Sequence, residues 1–584
     1  MDRHYYFTTN DAKSQVEKIL LRNQKLLSDQ NIKFDFKNDA TRLTIDGDTL
    51  GILVLIEKQV TVLQRDEPRH EYTACVIKNG TANLQHLVLS DQDIINNNSG
   101  LLVKQLGLKA FGKQNQVDLI WKITRNSCAN AISTEEFDVA GWFMYNANLC
   151  FACGNRLVTT NGTTNIKNRK SCDVADIDVE TACKFVRETY LALLNNKLYS
   201  IITLSFCILA NLQYGIKRVG GFVSFMLYVW GTTGTGKTST AFPMLNPFDV
   251  PNISLNDTSA ASMYTLNDNS CSTTIIDDVK SRSGNAIKVL DRSLRIASDR
   301  TTSCSKLNGN SVQSVELDNL VAATAEIPLP LQTSSFPRTL MLQFDRNTVN
   351  TAALHELEKN PATFKKYTRA FILYFLEHVL SQPGWFKMFV QKYEDERSKQ
   401  IAILSRYRLH GRYYNTVAWI VAIWSELKTF LHAHGVEFGD ANFEQALQGM
   451  VIKQHKRYSE ADPVIVFCKA LFYLIDAKKL KVADKSQQTG DEDIVLTDGT
   501  MRLKSIVVYE KVRVWCEKTE TDFSVSEAEL RRRLDEQGLI AVNKTATKHN
   551  RTFDTKINGI SFSYIKFYPH KAKELLTEGG DDDE

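Results

Sequence analysis

The stretch Gly231-Thr-Thr-Gly-Thr-Gly-Lys237-Thr238 satisfies the pattern G-x-x-x-x-G-K-[ST], and no other feature narrows the fold as much. A backbone that wraps closely round phosphates needs Gly where a Cβ would intrude, and a Lys to place an ammonium between the β- and γ-phosphates. Average residue usage gives a chance match only about once in fifty chains of this length. The flanks agree with the motif: the apolar β-forming run Phe222–Trp230 precedes it and the helix-compatible Thr238–Leu245 follows. Strand, loop and helix N-terminus would then aim backbone N–H groups at a triphosphate. Gly231, Thr232, Thr233, Gly234, Thr235, Gly236, Lys237, Thr238 and Ser239 are therefore expected to bind ATP, with the Thr238 hydroxyl on Mg²⁺. Pro243 should kink or shorten the helix.

Further along, Thr273-Thr-Ile-Ile-Asp277-Asp278 is a β-rich run ending in two acids. Asp277 would hold Mg²⁺ through water, and Asp278 would polarise the attacking water, a step for which most such ATPases use the longer Glu. A strand ending in a solvated acidic turn is the plainer alternative. A third run, Asn319–Glu326, places Thr324 where it could sense the γ-phosphate or orient water. Ser335-Phe-Pro-Arg338 offers an Arg as a finger reaching a neighbour's ATP, although an ordinary surface Arg fits the sequence too. Arg406, Arg408 and Arg412 open a helix-like stretch. Arg412 is the preferred second sensor, and a solvated basic face is the alternative. Asn308-Gly309-Asn310 signals a hairpin that could carry Lys306 and Arg300 into a central channel to meet phosphates, or lie plainly on the surface.

With 584 residues the chain is too long for one core, so three or four domains are expected. The fold class is a multi-domain α/β protein. We divide it into an N-terminal α+β domain (1–125), a β-rich and linker segment (126–195), a phosphate-loop core (196–352), a helical lid (353–484) and a C-terminal domain (493–576). Thr159–Ser171 reads as a loop or inter-domain linker, Lys485–Glu492 as a polar linker, and Asp178–Tyr214 as helical. Lys and Arg total 71 against 67 acids, a balance too mild to identify a nucleic-acid partner, so any basic patch is local. Eleven Cys and a polar start without an apolar signal region point to a reducing compartment, the cytoplasm. The most apolar stretch, Leu198–Ile216, carries Ser, Thr, Asn and Gln and suits a buried helix better than a membrane span. Cys150 and Cys153 form C-x-x-C, with Cys172 and Cys183 downstream. Zinc has to be considered there, but buried structural thiols explain the pattern more simply.

Near the C-terminus a helix capped by Ser524 or Ser526 carries Arg531-Arg532-Arg533 and stops at Gly538. A hairpin follows over Thr552–Phe567, turning at Asn558-Gly559. Helices followed by a two-stranded wing form a winged helix, with Lys544, Lys548, Arg551 and Lys556 as phosphate or groove contacts. The same fold used for protein contacts is the alternative.

Taken in order, Gly141-Trp142, Phe151-Ala-Cys-Gly154, the helix ahead of Phe222–Trp230, the phosphate loop, Ile275-Ile-Asp277-Asp278 and Ala323-Thr324-Ala325-Glu326 resemble the MCM-like AAA+ helicases of bacterial mobile elements. These include the replication proteins of staphylococcal cassettes and pathogenicity islands. The resemblance covers roughly residues 60–570 and departs at Asp278, where Glu is usual, and at Ala325, where Gly is favoured. It implies an AAA+ core in a homo-hexameric ring that hydrolyses ATP at subunit interfaces, with the finger supplied in trans, and translocates on DNA. The resulting reading is an ATP- and Mg²⁺-dependent DNA helicase that initiates replication of a mobile element. Single-stranded DNA and an origin duplex would be its partners, the duplex on the winged helix, with host replication proteins as further candidates and no membrane. The rivals are an ATP-driven switch or remodeller that does not unwind, and a DNA-binding repressor or scaffold whose ATP site is degenerate at Asp278.

Overall fold

The computed structural model describes residues 9–577 except 38–39, 65–67, 81–83, 97–98, 108–110, 112–113, 250–252, 255–272, 280–294, 296–297, 299–304, 309–310, 315–318, 327, 329–335, 461, 488, 498, 520, 522, 524, 545–548 and 558–559. The side chains of Asp278, Lys306, Lys544 and Lys556 also lie outside the described part. The chain forms two compact units. One comprises residues up to Asp176 with Ile372–Trp385, and the other Ile177–Phe371 with the residues from Phe386 onward.

In the first unit the long strand Ile52–Leu63 pairs antiparallel with Arg69–Lys78 and parallel with Ile132–Phe137, while Leu84–Ser90 closes the sheet beyond Arg69–Lys78. Its first half, Ile52 to Ile56, is buried throughout, the unbroken apolar run expected of a strand covered on both faces. Helix Gln114–Asn126 packs on it with Val117, Ile120, Trp121 and Ile123, and Thr124 Oγ1 donates to Val54 O at 2.9 Å. The pairing slips between Ile56 and Lys58, leaving Glu57 as an extra residue, and Ile56 N donates instead to Ser127 Oγ at 2.8 Å. The slip is a β-bulge, a device that re-aims a side chain.

A second, four-stranded antiparallel sheet runs Gly141–Tyr145, Asn148–Cys153, Arg156–Thr159, Gly162–Asn165. The last hairpin corrects the expectation of a linker over Thr159–Ser171. Thr is a good strand residue, and the turn closes where Gly162 takes φ of 105°, with Thr159 Oγ1 donating to Gly162 O at 3.0 Å. The following segment is tied down as well, since Asn168 Nδ2 donates to Val139 O and Gly154 O, both at 2.8 Å. Cys150 is buried in an apolar cluster with Phe137 and Phe143. Cys153 Sγ lies 3.1 Å from Cys172 Sγ. Among the described residues no metal-binding group of His, Cys and acids forms round these thiols.

The second unit is built on a five-stranded parallel sheet in the order Ile253–Ser254, Thr274–Val279, Val321–Ala325, Met226–Trp230, Thr339–Gln343. Met226 to Val229 are buried, as a central strand requires. The helical expectation for Asp178–Tyr214 holds except for a short break at residues 194–196. Helix Val179–Phe185 passes into a π turn and a 3-10 turn ending at Leu193, and Asn196 then starts a new helix, Lys197–Arg218, by accepting from Leu198 N at 3.1 Å. Among the described residues Lys197–Arg218 is the one helix long and apolar enough to cross a membrane, and 89% of its most apolar stretch is buried inside the protein. It serves as a core helix.

In the helical region that leads on to the C-terminal module, Tyr393 and Trp419 stack with ring centres 3.7 Å apart. The core of that module extends back to Val464 and Leu480, ahead of the boundary expected at 493. Lys485–Glu492 is not an inter-domain linker but a loop inside one sheet, because Val482–Asp484 pairs with Ile494–Thr497. Glu492 organises the loop by accepting from Thr489 N at 2.7 Å and Gly490 N at 2.8 Å. Ser526, which accepts from Glu529 N at 3.2 Å, caps helix Glu527–Glu536. The hairpin Phe553–Ile557 with Ile560–Phe567 joins the same sheet.

Candidate nucleotide site

The loop after Met226–Trp230 is held at the C-terminal end of the parallel sheet, where ligands of such sheets bind. Gly231 N donates to Ala325 O at 3.1 Å, and Phe344 N donates to Trp230 O at 2.7 Å. A Cβ on Gly231 would stand 2.0 Å from Phe344 O, so only Gly passes between the neighbouring strands. Gly234 and Gly236 take φ of 82° and 77°, the left-handed region that other residues enter at a cost. Gly236 then caps helix Lys237–Leu245, which carries Pro243 and ends two residues beyond it. Inside the loop Lys237 Nζ donates to Gly231 O at 2.6 Å and Thr232 O at 2.9 Å, leaving the side chain largely buried. Thr232, Thr233, Gly234, Thr238 and Ser239 are exposed, while Thr235 is buried and donates to Thr232 O at 2.9 Å. Gly231→Ala should cost about 1–3 kcal/mol of stability by forcing the strands apart and weaken ATP binding at least tenfold. Thermal melting and a fluorescent-nucleotide titration check this, and unchanged values in both would show that the loop is not clamped.

The acid strand Thr274–Val279 lies next to Val321–Ala325, and their register shifts between Ile276 and Val279. The bulge holds both expected acids. Asp277 meets Thr324, whose Oγ1 donates to Asp277 Oδ1 at 2.5 Å, with Thr324 itself buried. The structure thus brings together two residues 47 positions apart. Asp278 occupies the same bulge. Sequence reasoning missed Glu326, whose carboxylate accepts from Thr233 Oγ1 at 2.6 Å at the loop tip. Its place two residues after Thr324, at the end of the same apolar run, was the available signal.

Arg338 ends a 3-10 turn, and the next residue, Thr339, pairs with Met226 at the start of the loop strand. Five strand steps, about 16 Å, separate that level from the loop, more than an Arg side chain spans. Arg338 therefore does not serve its own loop. Arg412 opens helix Gly411–Ala433, capped by His410, whose Nδ1 accepts from Arg412 N at 3.3 Å. Burial pushes the His410 pKa down, and the positive charges of Arg412 and Arg338 add to that. Arg406 instead lies over the Tyr407 ring, 4.7 Å from its centre.

Of the expected DNA contacts, Arg300 and Lys548 lie outside the described residues. Lys306 falls in the hairpin Ser305–Asn308 with Ser311–Ser314, Lys544 in strand Asn543–Lys544 and Lys556 in strand Phe553–Ile557. Arg551 is half-buried, with Nε 2.7 Å from Asp535 Oδ2. Arg531, Arg532 and Arg533 pair with Glu527 at 2.8 Å and with Glu529 at 2.7 and 2.9 Å. Such solvent-exposed pairs are weak, so a phosphate can compete for these arginines.

No protein-family profile and no curated protein matches the chain. Among solved structures, the helicase described as SCCmec type IV Cch, an active helicase, aligns with 93% of this chain and 98% of its own at 13% identity, with a TM-score of 0.55. A full-length MCM homologue from Methanopyrus kandleri aligns at 10% identity over 54% of this chain and 73% of its own with a TM-score of 0.28. An inhibitor-bound JCV helicase does so at 15% over 43% and 67% with 0.25. Scores that low carry no weight for the fold. The SCCmec helicase alignment does: this chain has that fold along nearly its whole length.

Proposed function

We propose that the chain is an ATP- and Mg²⁺-dependent DNA helicase of the AAA+ type, working as a homo-hexameric ring in replication initiation on a mobile element. The observation that carries the reading is the clamped loop Gly231–Thr238 set beside the Asp277–Thr324 pair on one parallel sheet. Backbone N–H groups of the loop and Lys237 would hold the phosphates, and Thr238 with Asp277 would hold Mg²⁺, which shields the phosphate charge when bound. Asp278 would take the proton of the attacking water and Thr324 would orient that water. Arg338 is about one strand length away from its own loop, which favours action on an adjacent copy, and Arg412 would act as a second sensor. The fold shared with an active SCCmec helicase supports the choice of a DNA motor, as do the hairpin in which Lys306 falls and the C-terminal helices and hairpin read as a winged helix. We assign the helical region 353–484 as the lid, and residues 1–125 and 126–195 as two N-terminal parts that share one sheet.

A second reading, a nucleotide-driven switch that binds DNA or protein without unwinding, is favoured by the self-paired arginines Arg531, Arg532, Arg533 and Arg551. The test is ATP turnover with and without single-stranded DNA, followed by strand displacement on a forked duplex. A motor gives turnover raised several-fold by DNA and ATP-dependent displacement. Turnover indifferent to DNA, with no displacement, would leave the switch reading.

A further inference from the structure

We propose that Glu57, Cys75 and His86 form a transition-metal site of the zinc type in the first unit, one that clamps an edge strand and is separate from the nucleotide site. Cys75 and His86 are direct partners across strands Arg69–Lys78 and Leu84–Ser90. Directly opposed side chains project from the same face of a sheet, close enough to share a ligand. The third group comes from the bulge, where Glu57 is the extra residue between Ile56 and Lys58. Its Oε2 lies 3.0 Å from Cys75 Sγ and 3.5 Å from His86 Nδ1, and Cys75 Sγ lies 3.5 Å from His86 Nδ1.

These separations suit a tetrahedral ion. With Zn–S near 2.3 Å and Zn–N and Zn–O near 2.0 Å, tetrahedral angles put the ligand atoms about 3.3–3.6 Å apart. The circle through the three observed atoms has a radius of about 1.9 Å, so an ion at those bond lengths sits about 0.5–1 Å off their plane. Thiolate, imidazole and carboxylate are the donor set of borderline metals such as zinc and do not suit Mg²⁺ or Ca²⁺. Among the described residues this is the one group of His, Cys and acids so arranged. Cys75 is fully buried, whereas the Glu57 and His86 side chains are 23% and 24% exposed, so an ion has a way in from the sheet surface and water can take the fourth position.

Without a metal the same atoms make a plain hydrogen bond from the thiol to the carboxylate, and burial with the Glu57 charge keeps that thiol protonated. Binding a divalent ion would form the sulfur–metal bond and release the thiol proton to solvent, with no change of oxidation state. The mechanical effect would be to pin Leu84–Ser90, an edge strand, to its neighbour Arg69–Lys78 and to Ile52–Leu63 beyond it.

The full-length protein, reduced and stripped with a chelator, is titrated with Co²⁺ alone while its sulfur-to-cobalt absorption band is followed, and Zn²⁺ is then added in competition. The expected result is about one ion per chain, a band displaced by Zn²⁺, and loss of the band in Cys75→Ser. In His86→Ala, whose partly exposed side chain can be removed without opening the core, affinity should fall at least 100-fold, beyond the 10–100-fold typical of losing a metal-ligand's supporting contact. Cys172→Ser serves as the control for the close pair Cys153 and Cys172. No band in the intact protein leaves only the hydrogen bond and overturns the site, as does a Co²⁺ affinity that His86→Ala leaves unchanged or a band that vanishes only with Cys172→Ser. Should Cys75→Ser fail to fold, the His86→Ala titration still decides.

Discussion

Lys237→Ala is expected to lower ATP turnover by at least about 100-fold, the loss typical of removing one preorganised charge from a phosphoryl-transfer site. The loop backbone should remain in place, since its shape rests on the contacts of Gly231 with Ala325 and Phe344 and on the left-handed glycines. Lys237 contributes a positive charge held inside that loop by Gly231 O and Thr232 O. Its ammonium is pre-positioned, so little ordering entropy opposes binding, and its removal should raise the barrier to phosphoryl transfer more than it disturbs the fold. The measurement is steady-state phosphate release, with a melting curve and a DNA-binding titration as controls. An unchanged melting temperature and retained DNA binding beside lost turnover would place the chemistry at the loop. Turnover within threefold of the parent would remove the site from the mechanism altogether.

That loop was legible in the sequence because everything it needs is local. Glycines at fixed offsets, a preceding β-run and a following helix lie within some 25 residues, and each is imposed by the backbone close to the phosphates. The sheet order was not legible. Val321–Ala325 inserts between the loop strand and the acid strand through pairings with residues far away in the chain, and an apolar run does not announce its neighbours. The hairpin Arg156–Asn165 escaped for a different reason. Its Thr- and Asn-rich composition matches a linker as well as an exposed strand, and the pairing partners decide between them. Helix Lys197–Arg218 was legible as a buried segment from its apolar run with scattered amides, but the break before it rests on the cap at Asn196, a short-range signal easily lost inside a long helical pattern. That the charge of Arg338 is felt at His410, more than seventy residues away in the chain, could not be seen without coordinates. The same holds for Glu57, Cys75 and His86, whose meeting depends on one extra residue in one strand.

Asp277→Asn should be the second severe substitution, and its comparison with Thr324→Val separates charge from orientation. The amide keeps the size of the carboxylate and can still accept from Thr324 Oγ1, so the bulge between Ile276 and Val279 should persist. The negative charge that would hold the metal is lost, and turnover is expected to fall about 100- to 1,000-fold at ordinary Mg²⁺. Thr324→Val does the reverse. It keeps the charge and removes the hydroxyl that fixes the carboxylate, an outer-contact loss that costs about 10–100-fold in related settings. If metal binding is what suffers, raising Mg²⁺ should recover part of the activity in Thr324→Val and little in Asp277→Asn, since a misaligned ligand can be saturated while a missing charge cannot. Turnover titrated against Mg²⁺ for the three proteins reads this directly. Equal losses, both insensitive to Mg²⁺, would show that the Asp277–Thr324 pair only holds the two strands together and that the metal is bound elsewhere.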